Sequence, residues 1–132
     1  MNPEAAVPLL RVKDVARSAA WYRETLGFAV DPFPETPPYA FAILRRGKAE
    51  IMLSCSEAGR PAGWKGWDVY VRLQSGLREL HARLELTGVV TRGLQRMFYG
   101  MAEFDARDPD GYVLCFGQDL ADAGDLPAPS ED

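Results

Sequence analysis

Asp14-Val-Ala-Arg-Ser-Ala-Ala-Trp-Tyr-Arg-Glu-Thr-Leu-Gly27 and Ser75-Gly-Leu-Arg-Glu-Leu-His-Ala-Arg-Leu-Glu-Leu-Thr-Gly88 are the two stretches that decide the fold. In the first, Val15, Ala19, Tyr22 and Leu26 recur at helical spacing and make one apolar face. In the second, Leu77, Leu80 and Leu84 do the same. Asp14 and Ser75 are residue types whose side-chain oxygens satisfy open N–H groups at a helix start. Gly27 and Gly88 suit the left-handed position that ends a helix. Both pairs are offset by the same distance, so the chain reads as two copies of one unit.

The flanking segments follow the same frame. A β-like run precedes each helix, Val7 to Lys13 and Asp68 to Leu73. Gly-Phe-Ala-Val (27–30) and Gly-Val-Val-Thr (88–91) follow the helices, and Tyr39–Leu44 and Tyr99–Phe104 come next. Each half closes with a turn and a last strand: Gly47 before 49–55, and Asp108-Pro-Asp-Gly111 before 112–117. Pro fixes φ and Gly permits positive φ, so the second turn is strongly signalled. The expected organisation is βαβββ twice, an α+β protein of one domain over 1–132. Module one covers about 5–55, a Gly/Ala/Pro-rich linker 56–66, module two 67–117, and an acidic mobile tail 118–132.

Alternation assigns faces. Val69, Val71 and Leu73, with Ala102, Phe104 and Ala106, are expected against the helices. Asp68, Tyr70 and Arg72, with Met101, Glu103, Asp105 and Arg107, face the other way, joined by Arg11 and Glu50. This second face is either a solvated sheet surface or the lining of a pocket.

The 132 residues suit one domain, and 47% apolar residues supply a core. No apolar run reaches the length of a membrane span. The start lacks the basic region and apolar stretch of a signal peptide, and two cysteines, Cys55 and Cys115, make no disulfide framework. A cytoplasmic protein is expected. The net charge of −4 is concentrated in the tail, where Asp119, Asp122, Asp125, Glu131 and Asp132 have no accompanying base. The body is nearly neutral, and Arg45-Arg46-Gly47-Lys48 reads as a turn, so nucleic-acid binding has no support.

Over residues 7–117 the sequence resembles the vicinal oxygen chelate superfamily, the glyoxalase, bleomycin resistance protein and extradiol dioxygenase group. The stretches that carry the resemblance are Leu-Arg-Val-Lys-Asp-Val-Ala-Arg-Ser (10–18), Trp-Tyr-Arg-Glu-Thr-Leu-Gly-Phe (21–28) and Asp-Ala-Arg-Asp-Pro-Asp-Gly-Tyr (105–112). The resemblance implies two βαβββ modules whose mixed sheets curl around a cavity, a homodimer, and a pocket on the non-helical face. The strand positions that hold a metal in the family's enzymes fall at Val7, Met52, Asp68 and Cys115. Valine has no donor, and one carboxylate, a thioether and a thiol do not suit the hard divalent ions of this family. No metal and no cofactor are therefore expected, which points to the bleomycin-resistance-like branch, whose members bind an organic molecule and sequester it.

Several further residues enter the expected ligand site. Trp64 and Trp67 offer faces for stacking or simply pack a loop. Phe33, in the proline-rich run Pro32–Tyr39, is a lip residue or part of a rigid connection. Glu103 and Asp105 lie about 7 Å apart along one strand face. They form a carboxylate pair for acid–base work or a cationic ligand, or else they pair with Arg72 or Arg107. Asp68, alone among carboxylates at a family ligand position, is the leading functional candidate, with Tyr70 and Arg72 on its face. Met52 and Cys115 complete the set, Cys115 as a buried thiol without an evident base. His81 is expected at the flank of its helix. The alternative is a lyase, isomerase or dioxygenase-like enzyme using Asp68 and Glu103.

Overall fold

A computed structural model describes residues 1–127; Glu131 and Asp132 of the expected tail lie outside the described residues. The chain divides into two compact units, 1–64 with 109–111, and 65–108 with the chain from 112 onward. The first contains β1 (Leu9–Val12), α1 (Val15–Leu26), β2 (Ala29–Phe33), β3 (Phe41–Arg46) and β4 (Ala49–Cys55). The second contains β5 (Val69–Leu73), α2 (Leu77–Glu85), β6 (Val90–Arg96), β7 (Met101–Arg107), β8 (Val113–Asp119) and the short α3 (Leu120–Ala123). Both sheets have one topology, β1-β4-β3-β2 and β5-β8-β7-β6, in which the first and last strands of each module pair in parallel and the rest antiparallel. The result is the expected α+β duplication.

In the first unit α1 buries Val15, Ala19, Tyr22 and Leu26 against Leu10, Val12, Ala42, Leu44, Ile51 and Leu53. Tyr22 is fully buried and meets Phe28 edge-on with ring centres 5.9 Å apart. The Asp14 side chain accepts from Arg17 N at 3.1 Å, and Gly27 adopts φ 74°, so both ends of α1 are as the sequence indicates. Ser18 Oγ donates to Asp110 and the Arg17 guanidinium to Pro109 O, which ties the Asp-Pro-Asp-Gly turn to this helix.

In the second unit Leu77 and Leu84 pack on the face carrying Val69, Ala102, Phe104, Ala106, Leu114 and Phe116. The Phe104 and Phe116 rings stack at 5.2 Å, and His81 meets Phe104 edge-on at 5.1 Å while its Nε2 lies 3.3 Å from Glu85. Ser75 does not cap α2. Gly76 occupies the cap position at φ 85° without a side-chain bond, and the buried Gln118 Oε1 accepts from Leu77 N at 3.0 Å instead. Periodicity along the chain cannot reveal a cap supplied from 41 residues away. Within the expected tail, Gln118 and Asp119 close β8 and 120–123 form α3.

Gln118→Leu leaves the buried Leu77 N–H without a partner, a loss of about 1–3 kcal/mol. Urea unfolding should show this as a lower midpoint at unchanged slope, whereas Ser75→Ala should leave the midpoint in place.

Candidate functional site

The polar face of the second sheet is organised as a row across four strands. Tyr70 on β5 pairs with Cys115 on β8, Cys115 with Asp105 on β7, and Asp105 with Arg92 on β6. One step along lies a second row, Arg72, Gly117, Glu103 and Gln95. Arg92 is the centre. Its Nε and Nη2 donate to Asp105 Oδ2 and Oδ1 at 2.9 and 2.8 Å, a bidentate pair. The same Nη2 donates to Glu103 Oε1 at 3.1 Å and contacts Cys115 Sγ at 3.5 Å. Tyr99 Oη donates to Glu103 Oε2 at 2.6 Å. Glu103 is 0% exposed, so its charge survives burial only through these partners.

One expected alternative paired Glu103 and Asp105 with Arg72 or Arg107. Both arginines are exposed and make no ion pair among the described residues. Arg92 was missed because β6 is bulged. Val90 opposes Ala106, so an unbroken ladder would set residue 92 opposite Phe104, on the helix side. Register shifts on both sides of Arg92 set it opposite Asp105 instead. The Gln95 side chain donates to Gly93 O at 2.9 Å within the irregular stretch. Gly93 was the one sequence signal, since an isolated glycine in a strand pattern marks a bulge.

Asp68 stands immediately before β5. Its backbone N donates to Val113 O and its Oδ2 accepts from Val113 N, both at 2.8 Å, so its carboxylate pins the start of β5 to β8. Trp67 lies exposed beside Tyr70 with ring centres 5.0 Å apart. Phe98 is 94% exposed at the β6–β7 hairpin and meets Tyr99 edge-on at 5.0 Å. The remaining expected residues belong to the first unit. Phe33, exposed, ends β2 with its ring 6.1 Å from Phe41. Trp64, also exposed, sits in a loop where Arg60 donates to its carbonyl. Met52 is half-buried on β4, opposite Leu9 and Ile43.

The electrostatics keep the neighbouring acids protonated. Burial, then the charges of Glu103 and Asp105, push the Cys115 thiol far up. Burial and then Glu103 do the same to the phenols of Tyr70 and Tyr99. For Arg92, burial alone would lower the pKa, but the hydrogen bond and charge of Asp105 and the bond to Glu103 raise it overall. The buried Tyr70 hydroxyl lies near Glu103 but makes no hydrogen bond of good geometry. Its ring covers Gly117, where any Cβ would collide with that hydroxyl.

The glyoxalase/bleomycin resistance protein/dioxygenase superfamily model matches residues 5–116. The chain belongs to this superfamily. A search of curated proteins finds no match. Among solved structures, TioX from Micromonospora sp. ML1 is similar at 21% identity and TM-score 0.72, covering 89% of this chain and 100% of that one. A bleomycin resistance determinant encoded on the transposon Tn5 has 24% identity, TM-score 0.69, and coverage of 89% and 98%. A bleomycin-binding protein complexed with bleomycin has 25% identity, TM-score 0.65, and coverage of 89% and 99%.

At the positions that the resemblance assigns to a metal, the side chains present do not suit a hard divalent ion. Val7 offers no donor, the Asp68 carboxylate is engaged by Val113 N, and the Cys115 thiol is held protonated beside a guanidinium. No group of three or more His, Cys, Asp or Glu able to hold a metal occurs among the described residues. The cation facing Glu103 and Asp105 is Arg92.

Arg92→Ala strands a buried carboxylate and should cost about 3–5 kcal/mol, while Arg92→Met with Glu103→Leu and Asp105→Leu recovers most of it. Chemical denaturation of both variants reads the difference.

A second expectation concerns alkaline pH. The unfolded chain releases the Cys115 proton near its ordinary value of 9.0, and the folded chain retains it well beyond that. Unfolding then releases a proton, so stability falls as pH rises above 9.0, by up to about 1.4 kcal/mol per unit for this one group. The phenols add to the fall above 10.0. Cys115→Ala should flatten the first part of that profile; an unchanged slope would show that the thiol is not the cause.

Proposed function

We propose that this superfamily member binds a small organic cation with a planar aromatic part on the polar face of its second sheet, and sequesters it without a metal or turnover. The observation that carries the reading is the stoichiometry of the cluster. One guanidinium serves two carboxylates, which leaves one negative charge uncompensated in a largely buried place. A cationic ligand group stabilises such a charge strongly where the local dielectric is low. Trp67, Tyr70, Phe98 and Tyr99 supply aromatic surface beside it.

Sequestration is favoured over catalysis by the protonation states. The thiol of Cys115 and the phenols of Tyr70 and Tyr99 are held neutral, and both carboxylates are occupied by Arg92, so the cluster offers no free nucleophile or base at neutral pH. This argues against the lyase, isomerase or dioxygenase alternative built on Asp68 and Glu103. The solved relative complexed with bleomycin supports an organic ligand. Asp68, Arg72, Arg107 and Cys115 of the second unit complete the proposed binding set on the family resemblance. A cytoplasmic homodimer belongs to the same proposal. No helix among the described residues is long and apolar enough to cross a membrane.

Thermal unfolding with bleomycin as probe tests this. At a hundredfold excess over Kd the complex gains about 2.7 kcal/mol, a rise in Tm on the order of 10 °C. Glu103→Gln should abolish the rise. No shift with bleomycin or with any other planar cation defeats the proposal, and about one metal equivalent per chain would restore the enzyme alternative.

A further inference from the structure

The hairpin between β6 and β7 reaches the charged cluster with both arms. Met97 Sδ lies 3.7 Å from Arg92 Nη1, and Tyr99 Oη donates to Glu103 Oε2. The hairpin closes on itself through Met97 N to Met101 O at 2.8 Å and Gly100 N to Met97 O at 3.2 Å. Each arm is also held from outside by one stretch of chain, residues 120–127. Leu120 N donates to Gly100 O at 2.9 Å, next to Tyr99, and Arg96 N donates to Pro127 O at 3.0 Å, next to Met97. Asp119 caps the intervening α3 by accepting from Ala121 N. Gly124, at φ 80°, then turns the chain so that two carbonyls meet the Arg78 guanidinium: Nε donates to Ala123 O at 2.6 Å and Nη2 to Asp125 O.

We propose that residues 120–127 are a clasp that sets the β6–β7 hairpin on the charged cluster, and that Arg78 on α2 is the positioning residue that fastens it. Four residues of helix cannot hold themselves in place. The ties run from Arg78 through α3 to Gly100 and from Pro127 to Arg96, so the clasp meets both sides of the hairpin. A fork of guanidinium donors spans two carbonyls; an ammonium does so less well. The same stretch also gives β6, an edge strand, a partner at Arg96. This inference goes beyond the binding proposal and concerns the unliganded protein, so it stands or falls independently of what occupies the site.

Amide hydrogen exchange on the full chain and on Arg78→Ala provides the test. The amides of Arg96 and Leu120 should exchange at least about tenfold faster in the variant, with Ala106 and Leu114 in the sheet core unchanged, as for a local opening. A readout at the cluster itself is the Tyr99 phenol, isolated by difference titration against Tyr99→Phe. Its ionisation should move down toward the ordinary 10.0 when the hairpin is released. Arg78→Lys should give an intermediate effect on both. Where Arg78→Ala fails to fold, a chain ending at Ala123 removes Asp125 O and Pro127 O while keeping α3, and should accelerate Arg96 in the same way. Unchanged exchange at Arg96 and Leu120, an equal acceleration of the whole sheet, or an unmoved Tyr99 titration would each overturn the proposal.

Discussion

A carboxylate with no exposed surface must have its charge met from within the protein, and Glu103 sets that demand for the second unit. Arg92 pairs with it and holds Asp105 in the same grip, and Tyr99 adds a neutral hydrogen bond. Arg92 can reach only because β6 is bulged, and Tyr99 only because the β6–β7 hairpin is folded onto β7. The protonated thiol and phenols around the pair follow from the same buried charge. Backbone irregularity, hairpin conformation and local titration behaviour thus converge on one buried residue.

The duplicated fold provides an internal control. The row Tyr70–Cys115–Asp105–Arg92 in the second sheet corresponds by register to Leu9–Met52–Ile43–Asp31 in the first. The same strand order therefore carries a polar, charge-bearing row in one module and a mostly apolar one in the other. Topology does not dictate which row becomes a candidate site; the side chains do.

What could be read from the sequence is what depends on neighbours along the chain. Helical spacing located α1 and α2, Asp14 and Gly27 marked the ends of α1, and strand alternation put Glu103 and Asp105 on one face with Tyr70. What could not be read depends on contacts across the fold. Gln118 caps a helix far from it in sequence, displacing Ser75 from that role. Arg92 lies on the far side of a bulge that inverts the alternation rule. Asp68 was prominent by its strand position, but its carboxylate holds a backbone N–H of β8, a use that no residue pattern announces.

Gly117 lies in the middle of β8 and is absent from the positive-φ positions, so its backbone would accept any residue. What excludes a side chain there is the Tyr70 ring lying across it. The two positions are therefore coupled through volume. In a library randomised at both, side chains at 117 should survive only alongside a shortened residue 70, and shortening to phenylalanine is insufficient because the ring itself also blocks the space. Homologous chains drifting at one of these positions should drift at the other, so the pair serves as a covariation marker for this arrangement of the sheet.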